Sequence, residues 1–279
     1  MGDVGGDGTG GGGDGDVLLT EVVDRIGIIT LNRPERRNAL DGRLVAALDA
    51  AVTGMADDRA VRVVVLTGAA PPGGTGGTGG FCSGGDTKRD PGADAGMELG
   101  VPPNALEGDL ARHDRHAAML LHLMPKPTIA MVGGPAVGAG CSLAAACDLR
   151  FASEDAIFMA GFTPNGLSGD YGGTLFWTRI AGTAVARRLY LLNERLTARQ
   201  ALELGMVHAV LPPAELRPHT LDVAARLARI PRHVVARVKD NLNQAEDEAD
   251  RRRFLFAHEA HNQLEAGRLT AERLARRAR

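Results

Sequence analysis

The chain has 279 residues, 44% of them hydrophobic, and its 32 Lys and Arg nearly balance 34 Asp and Glu. That composition fills a core for one large or two small domains, and a net charge of -2 offers no general attraction to nucleic acid or an anionic membrane surface. Cys82, Cys141 and Cys147 are odd in number, with no paired spacing and no His cluster, which argues against a disulfide framework or a metal site and fits a reducing cytosol.

Residues 1–16 are mostly Gly and Asp and bury too little apolar surface to offset their ordering entropy, so a disordered tail is expected there. No apolar h-region and no run near the roughly 18 apolar residues of a membrane span occurs, and a cytoplasmic location is expected. Val17 to Val23 and Gly27 to Leu31 predict strands, Leu40 to Met55 an amphipathic helix, and Val61 to Leu66 a buried strand. The stretch Pro71 to Gly80 reads as a flexible loop that delivers the chain into Phe81-Cys82-Ser83-Gly84-Gly85-Asp86. Asp90 to Gly108 is polar and contains Pro and Gly; it reads either as a lid or as a plain surface loop.

Further along, Asp109 to Leu123 predicts a helix, Thr128 to Val132 a strand, Gly138 to Ala146 a short helix, and Asp148 to Phe158 two short strands. Helices are then expected over Thr174 to Ala181, Thr183 to Leu192, Thr197 to Leu204, Ala214 to Ala228 and Ala245 to about Arg268. Strands alternating with helices imply an α/β fold with largely parallel pairing, followed by a helical C-terminal region.

Two glycine-rich turns carry the first chemical signal. Ser83-Gly84-Gly85-Asp86 follows a strand and loop, and Gly133-Gly134-Pro135-Ala136-Val137-Gly138-Ala139-Gly140 follows a strand and opens a helix. Small residues admit a ligand close to backbone N–H groups, and two such turns facing each other donate two hydrogen bonds to one carbonyl oxygen. Neither turn is a dinucleotide fingerprint or a Walker loop. The second signal is Asp170, a carboxylate in the turn Gly166-Leu167-Ser168-Gly169-Asp170-Tyr171-Gly172-Gly173-Thr174. It reads as a proton-transfer group or as a cap for the following helix.

These pieces, with Leu31-Asn32-Arg33-Pro34, Asn38-Ala39-Leu40, Lys126-Pro127 and Cys147-Asp148-Leu149-Arg150, resemble the crotonase superfamily of enoyl-CoA hydratases and isomerases from about Val17 to Pro212. The resemblance implies a spiral of repeated ββα units over 17–212, with 213–279 supplying oligomer contacts in a homotrimer or hexamer. The substrate it implies is an acyl-CoA thioester of fatty or aromatic acid metabolism. Coenzyme A enters as part of the substrate, with no permanently bound cofactor and no metal.

Residue by residue, the resemblance implies that the amides of Gly85 and Ala139 hold the thioester oxygen. Arg37, with Arg36 beside it, matches a position that contacts coenzyme A phosphates. Ser83, Gly84, Asp86, Thr87, Pro135, Ala136, Val137 and Gly138 line the channel, although Asp86 also reads as a brace for its own turn.

The two glutamates of the hydratases are replaced by Ser142 and Phe162, neither of which accepts a proton from water at neutral pH. An Asp near position 170 resembles dienoyl-CoA isomerases, naphthoate synthases, chlorobenzoyl-CoA dehalogenases and, nearest, the epoxide-to-oxepin isomerase of phenylacetate degradation. An isomerase with Asp170 as acid and base is therefore expected, its pKa raised by the apolar neighbourhood of Phe158, Met159 and Phe162. Aryl-CoA dehalogenation, a one-carboxylate hydratase or hydrolase, and a non-catalytic acyl-CoA binder remain alternatives.

Bland readings apply to the rest. Cys141 and Cys147 are expected to pack, Tyr171 to be a core tyrosine with a satisfied hydroxyl, and His113, His116 and His122 to line a helix beside the pocket. Phe254 and Phe256 are candidates for subunit contact, and Leu264 to Arg279 lacks the tail that closes over adenine in relatives.

Overall fold

A computed structural model describes residues 16–70, 80–86 and 116–246, with isolated positions 268, 271, 272, 275 and 276. Expectations for the tail, the 71–79 loop, the 90–108 lid, the start of the 109–123 helix, most of the 245–268 helix, and Thr87, His113, Phe254 and Phe256 lie outside the described residues.

The first hairpin joins β1 (Leu18–Val23) and β2 (Ile26–Leu31) through Asp24 and Arg25, both at positive φ. Helix α1 (Gly42–Asp57) is capped by Asp41, whose side chain accepts from Leu44 N. Strand β3 (Val63–Gly68) follows, then α2 (Ala117–Leu123), β4 (Thr128–Val132), the two-residue β5 (Ala136–Val137), α3 (Ala139–Ala146), β6 (Leu149–Ser153) and β7 (Ile157–Met159). The chain continues through α4 (Gly173–Leu191), β8 (Leu196–Thr197), α5 (Ala198–Glu203), β9 (Ala209–Leu211), α6 (Pro213–Arg229) and α7 (Arg232–Glu246).

Six strands form one sheet in the order β1-β2-β3-β4-β6-β9, antiparallel only between β1 and β2, and β5-β7-β8 form a second, small sheet. The central strands are buried on both faces, which explains why they read as continuous apolar runs. Alternate residues divide two cores: Ile29, Leu31, Val64, Leu66, Ala130 and Val132 pack with α1 to α4, whereas Ile26, Ile28, Val63, Val65, Ile129 and Met131 pack with Leu216, Ala224 and Ala228 of α6.

Several boundaries moved for local reasons. Leu40 bridges to Gly85 instead of opening α1. The helices expected on either side of Gly182 join into α4, with Gly182 at φ 83 marking the break between them. Helix α7 was not expected before Ala245, because it leaves Val234, Val238 and Leu242 exposed and is anchored by polar groups. Its Lys239 Nζ donates to Leu121 O, Lys126 O and Asp148 Oδ2, and Asn243 donates to His122 O, so cationic and amide donors meet the carbonyl end of α2. Lys126 does the same for α1, donating to Met55 O and Asp58 O.

Cys82, Cys141 and Cys147 are all buried, and burial pushes each thiol up to about 12. A thiol reagent applied at about pH 8 should therefore leave the native protein unlabelled and modify three groups only after denaturation. Rapid labelling of the folded chain would show that one of these thiols is accessible.

Candidate functional site

The site is assembled where two turns touch. Leu40 N donates to Gly84 O and Asp86 N donates to Leu40 O, the pattern of a parallel bridge, so the N–H of Gly85 between them faces away from Leu40. A second parallel bridge, Cys82 with Ala136, ties the same loop to β5 through Val137 N to Cys82 O at 2.9 Å and Cys82 N to Pro135 O at 3.1 Å. Gly84 has φ 88, and a Cβ there would lie 2.9 Å from Val137 O and 3.5 Å from Ala139 N; the glycine is what lets the turns meet. Ala139 is the first residue of α3, where an amide N–H has no acceptor within its own helix. Among the described residues neither the Gly85 nor the Ala139 amide has a hydrogen-bond acceptor.

Three residues outside the expected set hold this arrangement. Asn38, fully buried at φ 54, donates to Ala69 O and Gly80 O and accepts from Arg33 N, fixing both ends of the 70–80 excursion. Arg33 pairs with Asp86 at 3.0 Å and Asp41 at 3.2 Å, joining the cap of α1 to the Gly85 turn. Asp86, expected to line the channel, thus faces Arg33 and braces the turn, while Thr87 is outside the described residues. Asp49 is the third: its Oδ1 accepts from Ala117 N at 2.8 Å and caps the start of α2. A lone acid flanking the buried face of Leu44, Leu48 and Val52 was the available signal for it.

Arg37 is exposed, at φ 53, and its carbonyl accepts from Ser83 N in the first turn. Pro135 is exposed, Val137 half-buried, and Ala136 and Gly138 buried beneath the second turn. Ser142, fully buried on α3, and Phe162, 5% exposed, connect to the Asp170 turn through Gly173 and Tyr190. Gly173 packs against Ser142 Oγ and Tyr190 Oη, Gly173 N donates to Asp170 O, and Phe162 stacks on Tyr190 with ring centroids 6.0 Å apart.

Asp170 itself is 7% exposed, and its Oδ1 accepts from Tyr171 N at 2.7 Å. The cap of α4 is Gly172, which offers no side chain, so the capping role considered for Asp170 is not the one it plays. The expectation for Tyr171 also needs correcting, since its buried hydroxyl has no hydrogen-bond partner among the described residues. His116 forms the cap position of α2 and lies edge-on to Tyr171, and His122 is buried against Phe176.

Burial raises the Asp49 carboxyl from 3.8 to about 6, against the opposing pull of the Ala117 N–H. A raised carboxyl pKa means the folded state holds the proton more tightly. The stability Asp49 contributes is thus complete at low pH and lost as pH rises through about 6. Asn at this position keeps the acceptor for Ala117 N without the charge. Melting curves of wild type and Asp49→Asn should then shift in the variant's favour between about pH 4 and about pH 7; a difference independent of pH would contradict the assignment.

The family model for enoyl-CoA hydratase/isomerase matches residues 21–269. The 1,2-epoxyphenylacetyl-CoA isomerase of Escherichia coli (strain K12) is 34% identical over 232 residues, covering 82% of each chain. An enoyl-CoA hydratase from Mycobacterium avium subsp. paratuberculosis K-10 superposes with TM-score 0.73 at 30% identity, covering 91% of this chain and 95% of that one. A monofunctional enoyl-CoA isomerase from M. smegmatis gives TM-score 0.66 at 28% identity, covering 84% and 95%. With these matches joined to the paired turns and the ββα spiral, the chain belongs to the enoyl-CoA hydratase/isomerase family.

Proposed function

We propose that this family member is an acyl-CoA isomerase that moves one proton through a thioester enolate, shifting a double bond or rearranging a strained ring. The observation that carries the reading is the side-chain inventory: Asp170 is a buried carboxylate, whereas Ser142 and Phe162, which by resemblance match the two glutamates of the hydratases, are buried and carry no carboxylate.

In this reading the amides of Gly85 and Ala139 hold the thioester oxygen as it gains negative charge. Each preorganised donor of this kind is worth about 3–4 kcal/mol in the transition state. Asp170 removes a proton from the carbon beside the thioester, or from its vinylogous position, and returns it elsewhere. Phe162, stacked on Tyr190, keeps its side of the pocket apolar and dry, which suits proton transfer better than addition of water. The exposed Arg37, bonded through its carbonyl to Ser83, is proposed to meet coenzyme A phosphates, and a homotrimer or hexamer is the assembly proposed.

Incubating the enzyme with α,β- and β,γ-unsaturated acyl-CoAs in deuterated water, with product mass as readout, tests the reading. Isomerised product carrying one deuteron supports it, and a product heavier by one water points to hydration. Asp170→Asn should lower turnover by about 100-fold to 10,000-fold while leaving acyl-CoA binding nearly intact. Full turnover by that variant would remove Asp170 from the mechanism.

The amide pair has its own test. Proline is tolerated in the first turn of a helix, so Ala139→Pro deletes one donor and keeps α3. Turnover should fall about 100-fold to 1,000-fold, with the folded circular dichroism spectrum retained; unchanged turnover would show that this N–H does no chemical work.

A further inference from the structure

Tyr171 follows Asp170 directly, and its backbone takes φ 57, a left-handed value that a bulky residue adopts only under strain. Its N–H donates to Asp170 Oδ1 at 2.7 Å, which fixes the backbone of one residue against the carboxylate of the other. The residue is 3% exposed within the larger core, and the His116 ring lies edge-on at a centroid distance of 4.2 Å. Its hydroxyl nevertheless has no hydrogen-bond partner among the described residues. Buried phenols ordinarily find an acceptor, because a desolvated donor left unmade costs more than the finished bond returns.

The surroundings decide what kind of partner suits it. Burial, then the charges of Asp170 and Asp49 and the Cys82 thiol, hold the phenol well above its ordinary range, so it stays protonated and donates. Cys82 leads into the turn that carries Gly85, and His116 and Asp49 mark the start of α2. Tyr171 is thus packed against the start of α2 through His116 and bonded through its N–H to Asp170.

We infer that the Tyr171 hydroxyl is a specificity-determining donor that accommodates a second oxygen on the acyl group, so that the preferred thioesters carry a hydroxyl, keto or ether oxygen beyond the thioester carbonyl. The inference rests on the reading of this site as an acyl-CoA pocket, but not on Asp170 as the proton carrier. The two turn amides take the thioester oxygen, and Tyr171 takes the other one. A plain hydrocarbon chain leaves that donor unsatisfied, which is how a site rejects the analogue lacking the group it was built to bind.

The test is calorimetric binding of hexanoyl-CoA and its 2-hydroxy and 3-hydroxy counterparts to the wild-type protein, to Asp170→Asn and to the Asp170→Asn/Tyr171→Phe double variant. At least one hydroxylated thioester should bind more tightly than hexanoyl-CoA and lose about tenfold in affinity when the phenol oxygen is removed, with hexanoyl-CoA changing less than about twofold. Equal losses for all three thioesters would make Tyr171 a packing residue and overturn the inference, as would no loss for any of them. Failure of all three to bind the wild-type protein would sink the acyl-CoA reading and the inference together, so the two failures are distinguishable.

Discussion

The arrangement depends on one close approach: Gly84 lies against Val137 and Gly138 with no room for a Cβ between them. Two parallel bridges, Leu40 with Gly85 and Cys82 with Ala136, hold the turns in that position, and each bridge uses the backbone groups that would otherwise compete for a ligand. What is left over is a pair of amides, one turned away from its bridge and one at the start of a helix. The donors are preorganised because the surrounding hydrogen bonds are already made. Asn38, Arg33 and Asp86 extend the same brace outward, so the geometry of the turns is fixed by the sheet and by α1 together.

The chemistry proposed for that frame rests on the side chains beside it. Ser142 and Phe162 are buried and carry no carboxylate, and Asp170 and Tyr171 bring an acid and a phenol into the turn before α4. One carboxylate beside an enolate is suited to carrying a proton from one carbon to another. Phe162 stacks on Tyr190, and Gly173 lies against Ser142 and Tyr190, so the surroundings of that turn are tightly packed. Frame and side chains thus separate cleanly: the family match speaks to the first, and the particular residues speak to the second.

Strands β1 to β4, β6 and β7 and the turn-to-helix junctions were legible in the sequence because they are written in short-range terms, whereas the short β5, β8 and β9 were not expected. Apolar runs at β3 and β4, the small residues of α3, and the glycines flanking Asp170 each leave a local mark. Helix α7 was not legible, since its anchors are Lys239 and Asn243 reaching residues about 120 positions earlier, and its apolar side chains face outward. The role of Asp49 was hidden for the same reason, because its partner is the start of a helix 68 residues further along the chain. Tyr171 was read by the general habit of buried tyrosines, and only the surrounding atoms reveal that its hydroxyl departs from that habit.

The central claim is that both turn amides grip the thioester oxygen. Infrared difference spectroscopy of an acyl-CoA labelled with carbon-13 at the thioester carbonyl measures that grip directly, because hydrogen bonds to the oxygen weaken the C=O bond and lower its stretching frequency. The account requires a single band well below its position in water when the thioester is bound. A bound carbonyl absorbing at or above its solution frequency would contradict it.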